Sequence, residues 1–239
     1  MGKSNTYLTA LAENDPEWKT LFENFACGEV VNENGMELDE RTRYMAILAT
    51  LLGCQGSDLY REILPDALEF VTPLEIKEIV YQAVAYLGIG RVYPFLKLTN
   101  DVLTEKGVSL PLEGQSTTTP ETRLEKGSQT QSDIFGPDWK EFYKSGPEET
   151  RHINRWLADN CFGDYYTRDG LDYRQREMIT FCFLSAQGTE LQLKGHIGGN
   201  AAVGNDKKFL IAVTSQCMPY IGYPRTLNTL RCISEVLKD

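Results

Sequence analysis

The 239-residue sequence lacks a Cys-x-x-Cys pair, a long apolar stretch and a cluster of basic residues. Its longest apolar stretches, residues 44–53 and 178–186, fall well short of the roughly 20 residues that a helix needs to cross a bilayer. The N-terminus lacks the charged segment followed by an apolar stretch that is typical of a secretory signal, so we expect no such signal. We therefore expect a cytoplasmic protein with no membrane partner.

Positive charge is scarce, because 24 Lys and Arg stand against 34 Asp and Glu, for a formal net charge of −10. Such a chain repels phosphates, which excludes nucleic acid as a partner. Histidine is scarcer still, with two in the chain, so we expect no metal site. The six scattered cysteines are expected to be reduced thiols rather than disulfides.

What the sequence does contain is helical periodicity. Residues 40–52 and 173–186 each follow an Asp in an N-cap position, and each apolar stretch is too long for a typical strand. Residues 72–87 open with Thr-Pro-Leu-Glu, a capping box with Pro at the first helical position. Gly88 and Gly222 are expected to end helices as C-cap residues. These patterns predict an all-α fold.

The helical pattern also repeats along the chain. Residues 38–45 match 171–178 at Leu, Asp, two Arg and Met, and residues 82–91 match 216–225 at Gln, Tyr, Gly and Arg. The spacing between the repeats differs by one residue between the two blocks, which places a one-residue insertion or deletion in residues 54–57 or 186–190. Such changes occur in loops, so we predict an inter-helix turn at the same point of both halves. We therefore predict a tandem repeat of two similar helical units related by a pseudo-twofold axis.

The predicted boundaries follow from composition. Residues 1–106 form the first repeat and residues 120–239 the second. Residues 107–119 are rich in Gly, Pro, Ser and Thr, which is typical of a linker.

The second half contains L-D-x-R-x-R-E-M, a turn with Gly, a His, a further Gly and then Q-x-x-x-Y-x-G-x-P-R. This pattern resembles the carboxymuconolactone decarboxylase family, which shares the alkyl hydroperoxidase D-like helical fold. The resemblance covers residues 38–103 and 171–237. It implies two alkyl hydroperoxidase D-like units and a homo-oligomer, with a trimer favoured because single-repeat members assemble into rings.

In the peroxidase branch of that fold, an active-site Glu precedes a Cys-x-x-Cys pair and a His. Glu177 and His196 have the corresponding spacing, but Thr189 and Gln192 stand where the cysteines would be. Peroxide reduction needs a reactive thiolate and a resolving thiol, and Thr and Gln supply neither. The resemblance therefore implies a site without its redox pair.

A cofactor-independent decarboxylase needs a proton donor and groups that hold a carboxylate. We predict His196 as the acid/base, because imidazoles titrate near neutral pH, and Glu177 as its orienting partner. The predicted substrate-binding residues are Arg176, Arg225, Tyr220, Thr189 and Gln192. Arg and Tyr recur at the equivalent places of the first half, so a structural role is the alternative for Arg176 and Tyr220.

The first half has a degenerate site, with Tyr44 at the position of Glu177 and Glu62 at that of His196. Cys54 lies near the turn where a cysteine pair would sit. Three hypotheses follow: a decarboxylase-like lyase acting on a small carboxylated lactone or related acid, a thiol-dependent peroxide reductase that recruits Cys54, and a non-catalytic oligomeric scaffold.

Overall fold

The computed structural model describes residues 12–238, so the start of the predicted first repeat lies outside the described residues. This part of the chain is helical and contains no β-strand, as the sequence predicts. The α-helices are α1 (Pro16–Glu23), α2 (Glu40–Cys54), α3 (Ser57–Ala67), α4 (Pro73–Leu87), α5 (Ile89–Glu105), α6 (Arg123–Phe135), α7 (Arg151–Trp156), α8 (Tyr173–Gln187), α9 (Glu190–Ala202) and α10 (Lys207–Val236). A 3₁₀ segment (Pro137–Lys144) and two π-helical segments (Asn24–Glu29, Leu157–Tyr166) complete the helical part.

The helix ends follow the capping residues of the sequence. The side chains of Asp39 and Asp172 accept hydrogen bonds from backbone amides in the first turns of α2 and α8. Thr72 and Glu75 form the predicted capping box of α4. The bounds predicted for these three helices are confirmed to within two residues.

Helices α2 and α8 lie at the centre of the molecule. Residues 43–53 of α2 and 176–186 of α8 are all buried, which requires neighbours on every side of each helix. A Cβ atom added at Gly53 would come within 2.8 Å of the Phe183 carbonyl oxygen, so this glycine permits the close approach of the two helices. One continuous apolar core spans both halves.

Arginines at the starts of the central helices bind the opposite half. Arg43 Nε donates to Gln216 Oε1 at 3.1 Å, and Arg176 Nη1 donates to Gln82 Oε1 at 2.8 Å. This reciprocal pairing is what a pseudo-twofold relation between the halves would produce. The tandem repeat, its boundaries and the trimer stay predictions.

Glycines break two helices where the sequence predicts helix ends. Gly88 has φ 77° and ends α4, and Gly222 has φ 75° and interrupts α10. Positive φ is readily available only to glycine, so these breaks are encoded by residue type. No helix of residues 12–238 is both long and apolar enough to cross a membrane.

The second half carries a layer formed by α6 and the π-helical segment Leu157–Tyr166. The two meet at Gly127 and Gly163, where an added Cβ would collide with backbone atoms of the other element. Residues 107–119 contain no helix, and the hydroxyl of Thr118 donates to the Gly163 carbonyl at 3.1 Å. This layer places Tyr166 and several aromatic rings beside α8 and α9.

Candidate active site

His196 on α9 and Glu177 on α8 are in direct contact, with 2.9 Å between His196 Nδ1 and Glu177 Oε2. The Glu177 side chain is fully buried, whereas 12% of the His196 side chain is exposed. A carboxylate only accepts hydrogen bonds, so the Nδ1 proton of His196 donates to it. This contact leaves Nε2 as the ring nitrogen available for chemistry.

Two tyrosines extend the hydrogen-bonded network of this pair. The Tyr166 hydroxyl donates to Glu177 Oε1 at 2.9 Å, and the Tyr86 hydroxyl donates to the Tyr166 oxygen at 2.9 Å. The Tyr86 hydroxyl oxygen also lies 3.4 Å from His196 Nε2. Burial raises the pKa of both phenols well above 10, so both remain protonated hydrogen-bond donors.

Residues that follow His196 on α9 bring the two helices together. The Asn200 side-chain amide donates to the backbone carbonyls of Glu177 and His196 at 2.9 and 2.8 Å. A Cβ added at Gly199 would lie 2.5 Å from Glu177 Oε2 and 2.7 Å from Phe135 Cε1. Only a glycine at this position lets Glu177 keep its place.

A cavity of about 1190 Å³ opens beside His196. Its walls come from α4, α6, α8, α9, the 3₁₀ segment and the second π-helical segment. The apolar lining residues are Ala85, Ile134, Phe135, Trp139, Phe142, Leu157, Phe162, Leu184, Leu191 and Ala202. The arrangement places an imidazole held by a carboxylate at the edge of a mainly apolar chamber, as in small-molecule sites.

Residues 152–235 match the model of the carboxymuconolactone decarboxylase family. Over 123 residues the chain is 24% identical to the 4-carboxymuconolactone decarboxylase of Acinetobacter baylyi (strain ATCC 33305 / BD413 / ADP1). That match covers 50% of this chain and 90% of the Acinetobacter protein. The matched segment, residues 152–235, contains both His196 and Glu177.

The structure brings some of the predicted site residues to the cavity. His196, Thr189 and Gln192 line it, and Glu177 lies directly behind the His196 ring. The Thr189 Oγ1 atom is buried and has no hydrogen-bond partner within residues 12–238.

Three predicted substrate-binding residues do not line the cavity. Arg176 is fully buried and lies 3.3 Å from Glu78, Arg225 is exposed and lies over Gly188, and Tyr220 stacks edge-on against an aromatic ring of α1. The two Nη atoms of Arg176 donate hydrogen bonds within the core, whereas its Nε has no hydrogen-bond partner in the described part of the chain. Within the described residues, the cavity wall contains no Arg and no Lys.

Sequence reasoning missed several residues of the site. It did not assign Tyr86, Tyr166 or the aromatic residues Phe135, Trp139 and Phe142 to the site. Tyr166 lies 11 residues before Glu177 and the others lie much farther away in sequence, and none of them shares a motif with Glu177 or His196. Only folding shows their proximity.

The thiols lie in two different surroundings. Cys54 does not line the cavity, and its Sγ lies 3.7 Å from the Leu51 carbonyl oxygen. Cys161 does line the cavity, but burial raises the pKa of its thiol to about 12. Because the thiolate is the nucleophile, Cys161 is an inert thiol at neutral pH. No group of three or more His, Cys, Asp or Glu within residues 12–238 is placed to hold a metal.

The Cys54 thiol should react slowly with alkylating agents at neutral pH. Although Cys54 is an exposed residue, partial desolvation of its thiol raises the pKa, so the thiolate fraction at neutral pH lies below that of a free cysteine. We expect the iodoacetamide rate at Cys54, followed by mass spectrometry of its peptide, to keep rising from about pH 6 to about pH 9. A plateau near neutral pH would instead indicate an activated thiolate and favour the peroxide reductase hypothesis.

Proposed function

We propose that this chain is a cofactor-independent decarboxylase-like lyase that removes a carboxyl group from an organic acid. Carboxylated lactones are the first candidates, because the Acinetobacter relative carries the name 4-carboxymuconolactone decarboxylase. The observation that carries the proposal is the 2.9 Å contact between His196 and Glu177 at the wall of a cavity. This is the geometry of an oriented acid/base.

In the proposed reaction the bond between the carboxylate and its carbon breaks, and CO₂ leaves. The electron pair remains on that carbon, where a neighbouring carbonyl or ring delocalises it. Protonated His196 then delivers the proton from Nε2 to the carbon, and solvent restores the proton to the imidazole. No oxidant, reductant or metal takes part in this balance.

Glu177 and the two tyrosines act as positioning residues in this proposal. The Glu177 carboxylate stabilises the protonated imidazole and fixes the ring so that Nε2, rather than Nδ1, meets the substrate. The Tyr166 hydroxyl donates a hydrogen bond to the second carboxylate oxygen of Glu177. The carboxylate therefore cannot rotate away from His196 without breaking a buried hydrogen bond.

The test is CO₂ release from a panel of carboxylated lactones and related acids. We expect turnover of at least one acid by the wild-type chain without added metal or cofactor. Release of CO₂ that depends on an added thiol or peroxide would contradict the mechanism. Failure with every acid would favour the non-catalytic scaffold.

Gly199→Ala should lower kcat by about tenfold or more, because the new methyl group displaces Glu177 and loosens the orientation of His196. The matched control is Gly90→Ala, since a Cβ at Gly90 meets nothing within 4 Å and Gly90 does not line the cavity. Both changes are compared by steady-state kinetics. Equal effects of the two substitutions would show that Gly199 has no special role in placing Glu177.

A further inference from the structure

The chamber beside His196 differs from a site built for a small polyanion. Its volume of about 1190 Å³ exceeds the roughly 300–1,000 Å³ of ordinary ligand pockets. Within the described residues, no Arg or Lys lines it, while the Asp133 carboxylate does. Moving a carboxylate out of water without a cationic partner costs several kcal/mol, so each additional carboxylate weakens binding.

Aromatic rings form one side of the chamber. Phe135, Trp139 and Phe142 follow one another along α6 and the 3₁₀ segment, with ring centroids 5.0 and 4.5 Å apart in successive pairs. Phe162 packs edge-on against Phe135, with ring centroids 5.7 Å apart. The Phe135 ring also lies 5.4 Å from the His196 ring, so the aromatic wall reaches the reacting group. Such walls favour offset and edge-on contacts with other aromatic rings.

Helix α9 forms another side, and some of its positions on the chamber carry no side chain. Gly195 and Gly198 line the chamber, and a Cβ added at either would meet nothing within 4 Å. Glycines within a helix each cost about 1 kcal/mol relative to alanine, so this helix carries a stability cost that local structure does not require. Because Gly195 and Gly198 have no side chains, helix α9 presents a flat surface beside the imidazole, on which a planar molecule can lie.

A few polar groups line the same chamber as the imidazole. Thr189 Oγ1, a buried hydroxyl with no hydrogen-bond partner in the described part of the chain, is one of them, and the Gln192 amide is another. Together with His196 Nε2 they suit one hydroxyl or carbonyl group of a ligand. A buried hydroxyl that gains a hydrogen bond on binding favours such a ligand over a pure hydrocarbon.

We propose that the chamber binds a fused-ring aromatic compound with a hydroxyl or carbonyl group, and that the acid decarboxylated here is a monocarboxylic acid of this class. The statement that the ligand carries a carboxyl group rests on the proposed function, whereas the fused-ring ligand class rests on the chamber alone. An apolar chamber without a cation also destabilises a bound carboxylate relative to CO₂, which favours its loss.

The experiment measures binding by isothermal titration calorimetry with two probes, 2-naphthol and cis,cis-muconate. We expect 2-naphthol to bind at least about tenfold more tightly than the dicarboxylate. Tighter binding of muconate would overturn the proposal. No heat of binding with 2-naphthol up to about 1 mM would overturn it as well.

Two leucine variants locate the binding site. Gly198→Leu places an isobutyl group in the chamber and should weaken 2-naphthol binding by about tenfold or more. Gly90→Leu adds the same side chain at a helical glycine outside the chamber and should leave the affinity unchanged. Equal affinities of the two variants would overturn the assignment of the site. Calorimetry does not require turnover, so a chain that binds 2-naphthol but decarboxylates no acid would refute the lyase while the ligand class stands.

Discussion

Replacing His196 with alanine should remove most of the decarboxylase activity and leave the fold intact. General acid/base catalysis contributes on the order of 10²- to 10⁴-fold, so kcat should fall by about that factor. The imidazole is partly exposed to the cavity, and its loss leaves the apolar core unchanged. The measurement is steady-state CO₂ release, with thermal unfolding by circular dichroism to check the fold.

Two controls make this result specific. His152, the other histidine, is exposed on α7, and His152→Ala should leave kcat unchanged. Cys54→Ser should change kcat by less than about twofold, because its thiol lies outside the cavity and the proposed acid/base step uses no thiolate. Loss of activity in Cys54→Ser while His196→Ala stays active would establish a thiol mechanism in place of the proposed one.

Replacing Arg176 with methionine should lower the free energy of unfolding by about 3 kcal/mol, the lower end of the range for a broken buried ion pair. The guanidinium is fully buried and binds Glu78, Gln82 and the Arg168 carbonyl oxygen. Arg168 keeps a second ion pair with Glu78, at 2.9 Å, which limits the loss. Urea unfolding followed by fluorescence measures the change.

Arg174→Met is the matched control for this substitution. Arg174 is two residues earlier on α8, is exposed, and donates to Asn205 at 3.2 Å. We expect its loss to cost less than about 1 kcal/mol, as for most surface positions. If Arg176→Met were instead as stable as wild type and raised KM strongly, Arg176 would be a substrate ligand, as the sequence first suggested.

Sequence alone predicts much of this fold because the helix signals are local. The N-caps at Asp39 and Asp172, the capping box at Thr72 and the breaks at Gly88 and Gly222 depend on residues within one turn of each other. Such interactions are decided by neighbours in sequence, so they can be read without the tertiary structure.

The site is less predictable because most of it is assembled over long distances in sequence. Spacing in the second half pointed to Glu177 and His196, but nothing near them indicates that Tyr166 occupies the other carboxylate oxygen. Arg176 is the reverse case, because its position in the sequence suggested a site residue and its side chain does not line the cavity. Next to Glu177 in sequence it resembles a carboxylate-binding residue, yet on a helix neighbouring positions face different directions, and its side chain points into the core.

Tyr86 connects the two halves of the chain at the candidate site. It lies on α4, in the half that does not contain Glu177 and His196. Its hydroxyl nevertheless contacts both Tyr166 and His196 Nε2. A substitution at Tyr86 would therefore change the surroundings of His196, although α4 lies outside residues 152–235. A gene encoding the second half alone would specify His196 and Glu177 but not the hydroxyl that faces them.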